Sequence, residues 1–185
     1  MITVRETAIE GLKIIEPRIF GDSRGYFYES FSQRDFDAAV GMHVEFVQDN
    51  QSLSCYGVLR GLHFQLPPFA QSKLVRVVEG RVLDVAVDIR SGSPTFGKHV
   101  AAELSGGNHR QFFIPRGFAH GFAVLSERAV FQYKCDEFYH PEAEAAIAWD
   151  DPDLGIDWQL PGGAVKLSDK DRRHPRLKDI DLPVF

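Results

Sequence analysis

The chain has 185 residues, enough for one domain that closes a substantial core without disulfide or metal staples. Hydrophobic residues make up 44% and charged residues 25%, ordinary globular proportions, and 15 phenylalanines point to an interior or cavity lined with rings. A net charge of -5 gives no general attraction to nucleic acid or to an anionic membrane, so neither is expected as a partner.

The opening MITVRETAIEGLKIIEP mixes charges through its first ten residues and contains no apolar run of signal-peptide length. Nothing downstream approaches a membrane span, and Cys55 and Cys135 are isolated and read as reduced core residues. A soluble cytoplasmic protein is expected.

Strand-like stretches then follow one another from Leu12 to Glu16, Tyr26 to Phe31, Val44 to Leu53, Val58 to Gln65 and Leu74 to Glu79. Five more run from Arg81 to Arg90, Lys98 to Leu104, Gln111 to Ile114, Ala119 to Leu125 and Ala129 to Phe138. Turn formers such as Gly21-Asp22, Pro67-Pro68, Glu79-Gly80 and Gly106-Gly107-Asn108 separate them. One helix interrupts the series: Ser32 offers an N-cap, Asp35 an acidic first turn, Phe36, Ala39 and Val40 an apolar side, and Gly41 a stop. Short strands at this spacing without helical crossovers predict an all-β sandwich or barrel. After Trp149 the chain turns rich in Asp, Pro, Gly and charge, and reads as an irregular tail laid over the body within one domain spanning residues 1–185.

Two strands carry polar residues whose faces matter. In Val58 to Gln65, a period of two puts His63 with Gln65 and sends Arg60 to the opposite face, unless a bulge intervenes at Gly61. In Arg81 to Arg90, Asp84 and Asp88 share a face; solvent exposure is the expectation, and a polar cavity is the alternative.

The spacing Gly57-x5-His63-x-Gln65, followed by Pro115-x-Gly117-x-x-His120, matches part of the cupin pattern, a jelly roll (double-stranded β-helix) with a metal in its mouth. Gln65 stands where a second imidazole is needed and no glutamate sits four or five residues beyond, so a transition metal would be under-ligated. A jelly roll whose pocket works without metal or cofactor is therefore expected. The groups left, His63, His120, Lys73, Arg60, Tyr133 and carboxylates, form an acid–base set that favours proton transfer. Proton removal beside a carbonyl needs a base titrating near neutrality, a cation for the enolate oxygen and an acid to return the proton. His63 and Lys73 suit the first two; Tyr133 is either the acid or a core tyrosine with its hydroxyl satisfied. Arg24, Arg60 and Lys170 offer scattered positive charge for a diphosphate, no phosphate-binding glycine loop is present, and Tyr139 offers a ring for stacking a base.

Taken together, FGDSRGYFYESF, FVQDNQS, VLRGLHFQLPPFAQSKLVRV, GRVLDVAVDIRSGSPTFGKHV, FFIPRGFAHGFAVLSE, YKCDEFYHPEAEAAIAWDDPDLGIDW and LSDKD resemble the dTDP-4-dehydrorhamnose 3,5-epimerase family nearly end to end. The resemblance implies a jelly-roll homodimer that acts on a dTDP-4-keto-6-deoxy sugar without metal or redox cofactor. Carbons 3 and 5 of dTDP-4-dehydro-6-deoxy-D-glucose would be inverted to give dTDP-4-dehydro-L-rhamnose for dTDP-L-rhamnose synthesis. An epimerase of one carbon in a related pathway is the alternative, because both kinds retain base and acid. Carried over by motif, the resemblance implies His63 as base with Asp171 orienting it, Tyr133 as acid and Lys73 as the enolate-stabilising cation. It also implies Arg24, Glu29, Gln48, Asn50, Arg60, His120, Glu144 and Lys170 as nucleotide-sugar contacts, with Tyr139 stacking on thymine. The tail departs from the family's wording at Gln159 and Val165, where prolines are expected.

Overall fold

The computed structural model describes residues 2–185. Two antiparallel sheets face each other. The first, of six strands, has β1 (Ile2–Glu6), β2 (Lys13–Pro17), β10 (Gln111–Ile114), β7 (Lys73–Glu79), β12 (Arg128–Cys135) and β5 (Gln48–Cys55) in spatial order. The second, of five, orders β13 (Glu144–Ala146), β6 (Leu59–Gln65), β11 (Phe118–Val124), β8 (Arg81–Asp88) and β9 (His99–Ser105). A separate hairpin, β3 (Phe20–Asp22) with β4 (Gly25–Phe27), stands outside both sheets. This is the expected jelly roll.

The differences are local. The stretch expected from Tyr26 to Phe31 keeps only a three-residue strand, and Val44 to Val47 precede β5 as irregular chain. Strands β1 and β13 carry no independent signal; they form by pairing in register with β2 and β6, as Val4 opposite Ile15 and Glu144 opposite Gln65 illustrate. Helix α1 (Gln33–Val40) is the one the sequence caps: the Asp35 N–H donates to Ser32 Oγ at 3.4 Å, and Gly41 ends it at φ 82°. Its Phe36 and Val40 cover Ile15, Leu74 and Phe113 on the outer face of the six-stranded sheet.

Between the sheets lies a core of Val75, Val77, Phe112, Phe122, Phe131 and their neighbours, with Phe122 and Phe131 stacked 4.1 Å apart. The outer face of the five-stranded sheet is equally apolar, through Leu59, Leu62, Leu83, Val85 and Val87. The tail buries it with Ile147, Leu154, Trp158 and Leu177. This tail has little regular structure, yet polar anchors hold it. Lys166 exchanges backbone hydrogen bonds with Gly57 and Leu59, Trp158 Nε1 donates to the Trp149 carbonyl, and the Leu177 N–H donates to Asp151 Oδ2 at 2.8 Å. At Gln159 the backbone takes φ 55°, which a proline ring forbids, so the proline expected there would not fit this loop.

With both faces of β8 covered, Asp84 and Asp88 are buried, contrary to the solvent-facing expectation. Asp88 accepts from Arg90 Nε at 2.9 Å, Ser93 Oγ at 2.6 Å and Thr95 Oγ1 at 2.6 Å, and so ties the following turn. Burial pushes its carboxyl up, but these donors together outweigh burial and hold it well below the usual carboxylate range. A carboxyl depressed in the fold adds stability above its unfolded pKa of about 4 and loses it as pH falls through the folded value. Asp88→Asn is therefore expected to lower unfolding free energy by about 1.5–3 kcal/mol at neutral pH. Urea melts of both proteins from pH 7 downward should show the gap narrowing below about pH 4; a gap independent of pH would remove the ionised carboxylate from the account. Cys55, expected in the core, is exposed at the end of β5, whereas Cys135 is buried.

Candidate active site

Strand alternation alone would separate Arg60 from His63; the structure puts them on one side. His120 of β11 pairs with His63, while Phe122 pairs with Arg60, so β6 spends three residues where β11 spends two. This extra residue is a bulge at Gly61, and it returns Leu62 and Phe64 to the outer core with Leu59 while Arg60 and His63 both look inward. Glycine is required here. Gly61 has φ 136°, and a Cβ on it would lie 2.6 Å from the Gly121 Cα.

The inward groups line one end of the space between the sheets. An outer compartment of about 420 Å³ is bounded by Gln48, Asn50, His63, Lys73, Tyr133, Tyr139 and Glu144. It continues into a smaller one of about 210 Å³ where Arg60 and His120 join His63, Lys73 and Tyr133. His63, Lys73 and Tyr133 meet here from β6, β7 and β12, and the tail's Asp171 backs His63.

His63 Nε2 lies 2.6 Å from Asp171 Oδ1, which leaves Nδ1 as the nitrogen without a hydrogen-bond partner among the described residues. Asp171 sits in a 3-10 turn (Asp171–Arg173) and is almost wholly buried; its Oδ2 accepts from Ser168 Oγ at 2.7 Å. Burial pushes its carboxyl up, but the hydrogen bonds from His63 and Ser168 and the nearby imidazole charge hold it well below the usual range. An ionised carboxylate fixes the imidazole's orientation and tautomer.

Lys73 enters from the first position of β7, with Nζ 6.0 Å from the centre of the Tyr133 ring. Burial lowers its ammonium pKa, while Cys135, Asp84 and Glu144 pull it back up. Tyr133 goes the other way: burial, then Cys135, raise its phenol above the ordinary value, against the Arg60 charge, so it keeps its proton and serves as a donor. Imidazole, ammonium and phenol around one cavity can remove a proton, hold negative charge and deliver a proton back.

Arg60 is held by Ser54 Oγ at 3.2 Å from Nη2. His120 has its Nε2 3.0 Å from both oxygens of Asp84, and burial lowers its pKa despite that carboxylate. Gln48 donates to Asn50, and at the rim the Tyr139 hydroxyl donates to Glu144 Oε2 at 2.7 Å while Lys170 pairs with the same carboxylate. Arg24 and Glu29 are the exceptions. Both are exposed and line neither compartment; Arg24, in the hairpin, pairs with Asp22 instead.

Three roles escaped the sequence. Gln65 is spent on structure: its amide donates to the Phe69 and Phe138 carbonyls, and its oxygen accepts from the His140 N–H. With Gln65 so engaged and His120 facing Asp84, the cupin ligand positions do not suit a metal. Asp84 backs His120, which only the cavity-facing alternative allowed. His174 lies behind Asp171, outside the cavity lining; its ring meets His63 edge-on at 5.7 Å between centres, and nothing in the aperiodic RRHP segment signals it.

Fold and pocket define a cupin-like jelly roll with an acid–base site. The family model described as dTDP-4-dehydrorhamnose 3,5-epimerase matches residues 6–179, and the chain belongs to that family. The dTDP-4-dehydrorhamnose 3,5-epimerase of Shigella flexneri is 54% identical over 180 residues, covering 97% of this chain and 98% of its own. Its Pseudomonas aeruginosa counterpart is 55% identical over 174 residues, 94% of this chain and 95% of its own. The crystal structure of dTDP-6-deoxy-D-glucose-3,5-epimerase from Legionella pneumophila, in complex with dTDP-4-keto-L-rhamnose, superposes with a TM-score of 0.96 at 54% identity, covering 100% of this chain and 99% of that one.

Proposed function

We propose that this chain is a dTDP-4-dehydrorhamnose 3,5-epimerase that inverts carbons 3 and 5 of dTDP-4-dehydro-6-deoxy-D-glucose on the way to dTDP-L-rhamnose. The observation that carries the reading is the short His63–Asp171 contact, which holds an imidazole against the cavity occupied from other sides by Lys73 and Tyr133. Both carbons flank the ketone at carbon 4. One cation, Lys73, thus stabilises the enolate oxygen formed by either deprotonation, and Tyr133 returns a proton from another wall of the pocket. No step requires a redox partner, because each inversion removes and restores one proton.

Gln48, Asn50, Arg60 and His120 would bind the sugar and phosphates, with Tyr139, Glu144 and Lys170 at the rim toward the nucleotide. The exposed positions of Arg24 and Glu29 fit a homodimer in which the hairpin and the chain after it reach the partner's site. Phe20, Tyr26 and Phe27 on that hairpin are exposed aromatics in the single chain, Phe27 at 70%. Barrel and tail would act as one domain, in the cytoplasm; both cysteines are free, and no described helix is long and apolar enough to cross a membrane.

Incubation with the 4-keto sugar nucleotide in heavy water, followed by NMR, is expected to show deuterium entering carbons 3 and 5. Absence of exchange at both would sink the reading, and exchange at one alone would make the chain a single-carbon epimerase.

A further inference from the structure

We propose that His63, Asp171 and His174 form a binding site for one imidazole-preferring divalent ion, of which Zn2+ is the type, and that occupancy switches the base off. The donor atoms of the three residues all lie within 4.8 Å of one another. His63 Nε2 is 2.6 Å and His174 Nε2 3.4 Å from the same oxygen, Asp171 Oδ1. The His174 nitrogen is buried and makes no hydrogen bond to the described residues, although it lies within ion-pair distance of that carboxylate.

Zinc bonds of about 2.0–2.2 Å in a tetrahedron set ligand atoms about 3.3–3.6 Å apart. The His174–Asp171 spacing is already of that size. The His63–Asp171 contact has to open by less than about 1 Å to match. Two imidazoles and one carboxylate are a familiar zinc donor set, with a water left for the fourth position. Lys170, next to Asp171 in sequence, has its ammonium paired with Glu144, so the cluster keeps the carboxylate's attraction for a cation. Only His63 is shared with the cupin positions, whose Gln65 and His120 are otherwise engaged.

Inhibition follows from the proton balance. To act as base, the imidazole must carry its proton on Nε2, toward Asp171, and keep the Nδ1 lone pair for substrate. A metal on Nε2 transfers that proton to Nδ1; none is released, and the lone pair that would take the substrate proton is gone. Binding stands apart from the reaction catalysed, whereas the switching-off rests on the epimerase reading.

The test uses full-length protein stripped with chelator and desalted. Zinc titration is expected to abolish solvent exchange at carbons 3 and 5, and chelator to restore it. Co2+ alone should give the visible spectrum of a tetrahedral N/O site at one ion per chain. His174→Ala, and His174→Gln as a volume-preserving second variant, should keep zinc-free turnover but lose the cobalt spectrum. Each should need about tenfold more zinc or beyond, since even indirect partners of metal ligands are worth 10–100-fold in affinity. Undiminished cobalt binding or equal zinc sensitivity in both variants would overturn the proposal, as would a thiolate charge-transfer band marking capture by exposed Cys55. Cobalt binding with no loss of exchange would overturn only the switch, and exchange absent even without metal would count against the epimerase reading alone.

Discussion

His63→Ala is expected to lower turnover by about a hundredfold or more, because general base catalysis contributes 10²–10⁴-fold. A hundredfold loss corresponds to about 2.7 kcal/mol of transition-state stabilisation. The effect should fall on the chemical step: His63 is one of several cavity groups, and Arg60, Gln48 and the rim residues stay in place to hold the nucleotide-sugar. Asp171→Asn should follow with a loss of about 10–100-fold, since the amide preserves shape but no longer stabilises an imidazolium. Once His63 is gone Asp171 has nothing to orient, so the double variant should be little worse than His63→Ala alone. Initial rates by NMR with binding measured in parallel decide it: a His63→Ala enzyme near wild-type turnover would remove this residue from the mechanism.

Lys73→Met is expected to cost about 10²–10³-fold, the scale on which loss of one donor aimed at a developing oxyanion is felt. Methionine keeps the apolar stem and removes the charge. The fold should not suffer, because burial already disfavours the ammonium form of Lys73 and a neutral side chain escapes that penalty. Activity and melting temperature are thus expected to move in opposite directions, a split that loss of a merely structural residue would not produce. Deuterium exchange should fall at carbons 3 and 5 alike, since one oxygen serves both enolates. Loss at one carbon only, or a rate near wild type, would take Lys73 out of its proposed place.

What the sequence disclosed, and what it withheld, divides by the range of the interaction. Helix α1 is local in origin: Ser32, Asp35 and Gly41 mark it within ten residues, and they cap it as expected. The faces of β8 are also readable by alternation, but whether Asp84 and Asp88 meet water depends on the facing sheet and on a turn they tie themselves. The bulge at Gly61 needs β11 beside it, because only the pairing of His120 and Phe122 reveals the extra residue; without it Arg60 is assigned to the wrong face. Asp171 was reachable only through the family's LSDKD wording, because no periodicity runs through the tail. His174, in the same aperiodic stretch, gave no signal at all.

The contact between His63 and Asp171 spans 108 residues of sequence. A nascent chain can pair β6 with β11 and close its barrel on the ribosome while the carboxylate is still unsynthesised or inside the exit tunnel. Under the proposed mechanism the base is armed only when the Asp171–Arg173 turn docks, so catalytic competence marks the docking of the tail and not the closure of the barrel. Copies whose tail has not docked would then be inert barrels, and enzyme activity would report docked molecules alone.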